Sequence, residues 1–153
     1  MGKPVFVDPK RRDFNFYHGA DYLTPNRKEL HEATGLAIDD DAAIERASQA
    51  ASSLSLASIL VTRSEEGMTL FRAEAPALHI HATAREVFDV SGAGDTVIAT
   101  FAAAIAAGAD TEEAAHLANY AGGIVVMKRG TATVSRQELL DALKQSPPAT
   151  RAH

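Results

Sequence analysis

The sequence contains no cysteine and no tryptophan. Without cysteine, a disulfide framework and thiolate metal sites are both excluded, and a reducing, cytoplasmic setting is the expected one. Aromatic residues are scarce, at 6%. No basic stripe runs along the chain, and its formal net charge is -5, so nucleic acid is not an expected partner. Long hydrophobic runs are also missing. The longest, Ile98 to Ala109, includes Thr100 and Gly108 and is dominated by small residues. It is too short to cross a bilayer and reads as a buried helix, so no membrane partner is expected. The opening residues Met1-Gly2-Lys3-Pro4 carry no apolar leader. The histidines do not cluster either. His79 and His81 alternate with Ile80 and are expected to face solvent from one strand, while His18, His31, His116 and His153 are scattered, so a zinc site has no support.

What is present is 153 residues at 46% hydrophobic content, enough to bury a core. The pattern predicts one domain over residues 1–146 and a flexible tail over 147–153, where Pro147-Pro148 opens a polar end. Short apolar runs at Pro4 to Val7, Asp21 to Thr24, Ser58 to Thr62, Met68 to Phe71 and Ala77 to His81 read as strands. Lys10 to Tyr17 reads as a loop or short helix. A helix is predicted over Asn26 to Ala33, capped by Thr24 or Asn26, with Glu29 in its first turn and Gly35 as its stop. Asp39-Asp40-Asp41 opens a second helix with an apolar stripe at Ile44, Ala47, Ala51 and Leu54. An alanine-rich helix runs to Ala107 and stops at Gly108, Thr111 caps a helix from Glu112 to about Lys128, and Ser135 with Glu138 opens a last one to Lys144. Strands alternating with helices predict an α/β layered sheet. A chain that opens directly on an apolar strand reads as part of something longer.

The strongest chemical signal is Asp89-Val90-Ser91-Gly92-Ala93-Gly94-Asp95-Thr96. Glycines allow a tight turn and a close approach of ligand to backbone. The free N–H groups of the helix that follows favour an anion. Asp95 stands at that positive end, where a carboxylate can take a proton from a hydroxyl while the N–H groups hold a phosphoryl group. Spacing alone leaves open a plain loop capped by Asp95, since the segment is neither the Gly-Lys-Ser/Thr phosphate loop nor the dinucleotide fingerprint.

This segment, running into an alanine-rich helix, resembles the second signature of the ribokinase/PfkB sugar kinases. Three further stretches match in the same order. Thr24-Pro25-Asn26-Arg27-Lys28-Glu29 resembles the family's Asn-x-x-Glu motif, Val61-Thr62-Arg63-Ser64-Glu65-Glu66-Gly67 resembles its Thr-x-Gly-x-x-Gly segment, and Asn119 lies where the family places an asparagine near adenine. Val7-Asp8-Pro9-Lys10, Leu23-Thr24-Pro25-Asn26, Thr62-Arg63-Ser64 and Gly130-Thr131-Ala132-Thr133-Val134-Ser135 look like the heptose 7-phosphate kinases, the kinase half of bacterial heptose kinase/adenylyltransferases. Most relatives have glycine where Ser64 stands. The resemblance implies a three-layer ribokinase-like α/β sandwich, of which this chain is the second half only. It implies ATP-dependent phosphorylation of the anomeric hydroxyl of heptose 7-phosphate, a step toward ADP-heptose and lipopolysaccharide core. The alternatives are another PfkB-type sugar or nucleoside kinase, or a catalytically inactive nucleotide-binding fragment.

By the same resemblance Asp95 is the catalytic base, and the N–H groups of Gly92, Ala93 and Gly94 form the anion hole. Asn26, Thr62, Ser64, Gly67 and Asn119 border ATP, and Asn26 and Glu29 hold magnesium through water. Asp89 and Ser91, with the Val134 carbonyl, hold a monovalent cation such as potassium. From its place at a strand end Lys10 reads either as a phosphate contact or, the commoner case, as a solvated lysine. The sugar-selecting residues belong largely to a first half that is not in this chain. That half, or another protomer, is the expected partner beside the sugar phosphate, and the sheet edge left open invites association.

Overall fold

The structure is a computed structural model that describes residues 2–84, 86–87, 89–130 and 132–145; the expected tail lies outside the described residues. Five strands form one sheet in the order of the chain: β1 (Phe6–Val7), β2 (Tyr22–Leu23), β3 (Ser58–Thr62), β4 (Met68–Arg72) and β5 (Ala75–Ile80). The first three run parallel and the last two antiparallel. The parallel pairings need crossovers. A loop with a short 3-10 turn at Phe14–Tyr17 links β1 to β2, and helices α1 (Arg27–Thr34) and α2 (Asp41–Ser55) link β2 to β3. Helices α3 (Ala93–Ala106), α4 (Thr111–Val126) and α5 (Arg136–Gln145) follow the sheet.

Side chains of a strand alternate between faces, and β3 shows the consequence. Ile59 and Val61 enter one core with Phe14, Leu23, Leu30, Ile44, Ala47 and Ala51, under α1 and α2. Leu60 enters the other with Met68, Leu70, Val97, Phe101 and three alanines of α4. The result is helix, sheet and helix in three layers. The stripe expected on α2 is buried at Ile44, Ala47 and Ala51, with Leu54 packed at its margin.

Helix ends follow local chemistry. Asn26 and Glu29 cap α1 reciprocally, and Gly35 ends it in the left-handed region. Asp40 caps α2. Ser135 and Glu138 form the expected reciprocal pair at the start of α5, with Glu138 N–H on Ser135 Oγ at 3.1 Å and Ser135 N–H on Glu138 Oε2 at 2.8 Å. At α4 the cap is Asp110 rather than Thr111. Its carboxylate accepts from the Glu113 N–H at 2.8 Å, and Glu113 answers on the Asp110 N–H. Aspartate outranks threonine as a cap, which moves the helix start one residue back. Helix α3 also departs from expectation. It is buried only at Val97 and Phe101, whereas Ala99, Ala103 and Ala106 are exposed. Alanine is apolar enough to suggest burial, yet too small for its exposure to cost much.

Candidate functional site

The Gly-rich turn leads into α3. Gly92 is its cap, in the left-handed region at φ 76°. Its carbonyl accepts from the Thr96 N–H, and the Ala93 N–H is engaged with the Val90 carbonyl at 3.2 Å. Of the expected anion hole, Ala93 therefore spends its donor inside the turn. The helix offers Gly94 and Asp95 as its first uncommitted N–H groups among the described residues. Asp95 sits in the first turn of α3 and is exposed.

Beside this helix end opens a cavity of about 470 Å³. The structure gathers Thr62, Ser64, Gly67, Ala93, Gly94 and Asn119 on its wall. Asp95, Asn26, Glu29, Asp89, Ser91 and Gly92 do not line it. The wall is otherwise mostly apolar, with Met68, Val87, Val90, Val97 and Val126. Apolar walls with a few convergent polar groups suit a flat organic ring.

Sequence reasoning missed one feature of this wall, the paired glycines of α4. A Cβ on Gly123 would lie 2.5 Å from the Thr83 hydroxyl, and one on Gly122 would lie 3.1 Å from the Val97 side chain. Two glycines inside a helix each cost about 1 kcal/mol relative to alanine. That cost was the available signal that something approaches this face closely. Asn119 is nearly buried, and its side-chain amide donates to the His81 carbonyl at 2.8 Å. It thus ties α4 to the chain leaving β5 while bordering the cavity.

The turn after β3 supplies the opposite wall. Ser64 is left-handed, at φ 52°, and Gly67 has φ 98° with the Ile80 carbonyl 1.9 Å from where a Cβ would stand. A non-glycine residue held there costs on the order of 1–3 kcal/mol. Arg63 is buried just before it. His79, expected in solvent, instead lies against α2. Its ring Nδ1 is 2.8 Å from Thr69 Oγ1 and its Nε2 is 2.7 Å from Glu45 Oε1. Asp41 and Glu45 of α2 reach over to that ring, so alternation placed the side chain correctly but not its surroundings. His81 is exposed as expected.

At the ends of β1 and β2 the Asn-x-x-Glu stretch forms the α1 cap. Asn26 Oδ1 accepts from the Glu29 N–H at 2.8 Å, and Glu29 Oε2 accepts from the Asn26 N–H at 2.9 Å. Lys10 is not free. Its ammonium lies 3.0 Å from Asp8 and 3.3 Å from Glu29, and the Asp8 hydrogen bond, then that of Glu29, holds its pKa above the ordinary lysine value. Magnesium takes oxygen donors and keeps several waters. Asp8 and Glu29 offer two carboxylates, and Asn26 is committed to the cap. Both carboxylates already face the Lys10 ammonium, and among the described residues no three acidic or histidine side chains converge as direct ligands.

Asp89 bridges the Gly-rich turn to the segment after α4. It accepts from the Ser91 N–H at 2.8 Å and the Gly130 N–H at 3.2 Å, and its own N–H reaches the Val126 carbonyl. The Ser91 hydrogen bonds, with help from Gly130, hold its carboxyl below the usual aspartate range.

Residues 1–138 match the family described as "pfkB family carbohydrate kinase". The chain belongs to the pfkB family. Among curated proteins it is similar to the bifunctional protein HldE of Paramagnetospirillum magneticum, at 59% identity over 143 residues, covering 93% of this chain and 29% of that protein. The bifunctional protein HldE of Pseudomonas putida strain F1 is 51% identical over 150 residues, covering 98% of this chain and 32% of that protein. The chain thus spans about a third or less of these relatives. Among solved structures it is similar to Arabidopsis thaliana ribokinase complexed with ribose and ATP, with TM-score 0.84, 29% identity, and coverage of 92% of this chain and 47% of that one. Its fold is therefore ribokinase-like, and it corresponds to about half of that chain.

Proposed function

We propose that this chain is the nucleotide-binding, base-bearing part of an ATP-dependent sugar kinase. The observation that carries the reading is the cavity ending at Gly94, one residue before an exposed carboxylate at the start of α3. The nucleoside of ATP fits the apolar wall beside Asn119, and its phosphates run toward Ser64, Gly67 and the N–H groups of Gly94 and Asp95. Asp95 takes the proton of the acceptor hydroxyl. The new bond joins that oxygen to the γ-phosphorus, the bond to the β-bridging oxygen breaks, and ADP leaves. The helix N–H groups oppose the charge that develops; magnesium, which Asn26 and Glu29 would hold through water, would supply further positive charge when bound. Asp89, Ser91 and the Val134 carbonyl are the candidates for a potassium ion that would stiffen the turn.

The acceptor is the anomeric hydroxyl of heptose 7-phosphate. The Thr62-Arg63-Ser64 sequence and the high identity to the HldE proteins support this choice over other pfkB sugars and nucleosides. A second reading is favoured by the chain spanning only 29% of one such relative: a part that binds nucleotide and needs a first half to turn over. Transfer requires an acceptor held in line.

Turnover of ATP with heptose 7-phosphate, magnesium and potassium distinguishes them. Turnover that falls by about 10²–10⁴-fold in Asp95→Asn supports the kinase. Saturable, magnesium-dependent ATP binding without turnover supports the second reading. A folded chain that does neither rules out both, and a panel of other sugars and nucleosides tests the acceptor.

A further inference from the structure

The turn Ser64–Glu66 walls the cavity in a conformation that its own sequence disfavours. Ser64 is left-handed and Gly67 is pressed against the backbone of β5. Such strain persists only where the surroundings over-determine it. Backbone bonds contribute: the Arg63 N–H reaches the Gly67 carbonyl at 2.8 Å, and the Glu66 and Gly67 N–H groups reach Arg63 and Ser64 at 3.1 and 3.2 Å. The larger constraint is the side chain of Arg63, only 5% exposed. One terminal nitrogen donates to Asp41 Oδ1 at 2.6 Å and to Thr69 Oγ1 at 3.2 Å, and the other donates to Glu66 Oε2 at 2.6 Å. His79 Nδ1 lies 3.5 Å away. The fork thus spans the start of α2, the middle of β4 and the turn itself.

Two of its partners have no need of it. The side chains of Asp41 and Glu66 are 59% and 41% exposed, and water would satisfy both carboxylates. Burying a guanidinium to reach them, with its Nε left unpartnered among the described residues, is costly. What the fork adds is a fixed distance between Glu66 and α2. A planar guanidinium sets that distance, and a lysine ammonium, a single point charge, does not.

We propose that Arg63 is a positioning residue for nucleotide binding: its buried fork ties Glu66 to the start of α2 and keeps the Ser64–Gly67 turn against the cavity. The inference rests on the nucleotide reading of that cavity. Arg27 reaches Glu66 at 2.8 Å from the start of α1, a more exposed second tie that leaves the turn attached when Arg63 is changed.

Arg63→Lys and Glu66→Gln test this, with three readouts on the whole chain. These are the thermal unfolding midpoint, hydrogen exchange at the Glu66 and Gly67 amides, and the dissociation constant for ATP with magnesium by calorimetry. The expected result is a midpoint close to wild type in Glu66→Gln, whose side chain is partly exposed. In both variants exchange at the two amides is about tenfold faster and ATP binding about tenfold weaker, the scale of one charge-assisted hydrogen bond, while α4 amides are unchanged. Combining the two substitutions adds little to Glu66→Gln alone, which already removes the charge that both Arg63 and Arg27 hold. Unchanged exchange in Glu66→Gln overturns the proposal, as does faster exchange with unaltered ATP affinity. A wild-type chain that binds no ATP overturns the nucleotide reading itself and is recognised by the absence of any heat from wild type.

Discussion

A methyl group at Gly67 and one at Gly123 meet different fates, although both collide. At Gly67 the obstacle is the Ile80 carbonyl at 1.9 Å, and φ is 98°. Backbone cannot swing aside and an alanine resists that φ, so Gly67→Ala is expected to cost about 3 kcal/mol in urea unfolding. At Gly123 the obstacle is a threonine hydroxyl at 2.5 Å on an exposed residue. Thr83 can rotate, and alanine gains about 1 kcal/mol in a helix. Gly123→Ala is therefore expected to leave stability within about 1 kcal/mol of wild type while narrowing the cavity and weakening ATP binding. The two measurements together separate a glycine kept for the chain from one kept for a ligand. Much at this scale was legible in the sequence. Gly92, Gly94 and Asp95 stand at a helix start, as the spacing of glycines before an apolar helix required. The surroundings of Arg63 and His79 were not legible, because they depend on Asp41 and Glu45 of α2 reaching over to them, a contact between residues far apart in sequence.

Helix ends carry the next set of consequences. Asp110→Ala removes the acceptor of the Glu113 N–H and half of a reciprocal cap, and should destabilise the protein by about 1 kcal/mol in thermal unfolding. Thr111→Ala should cost less, which reverses the ranking that sequence alone suggested. Helix α5 is held by a charge. The Lys128 ammonium at 2.6 Å, then the Ser135 N–H, lowers the Glu138 pKa from 4.5 to about 2. A carboxyl with a depressed native pKa stabilises the folded state above its unfolded value, and that contribution is lost as pH falls from 4.5 toward about 2. Carboxyl titration by NMR should find this low midpoint, and Lys128→Met should return it toward the ordinary glutamate range. The elements themselves were read well where a strong period met a clear stop. Strand β3 matches to the residue and α1 ends at its glycine. The alanine-rich α3 misled on burial because composition does not say which side a neighbour covers.

For the molecule as a whole, the sequence pattern of strands and helices pointed to layers, and the layers are there. What no pattern supplied was the split of the site. The cavity draws on β3, the turn after it, the chain leaving β5, α3 and α4, all within residues 62–126. The Asp8, Lys10 and Glu29 group belongs to the parallel side. The order of the strands in the sheet is their order in the chain, and this bears on how the molecule is made. Strands β3, β4 and β5 meet through short antiparallel returns, so their pairing closes small loops and needs little search. The parallel pairings wait for two crossovers. On refolding, the half of the sheet that bears the nucleotide cavity should therefore gain amide protection first, with β1 among the last strands to be protected.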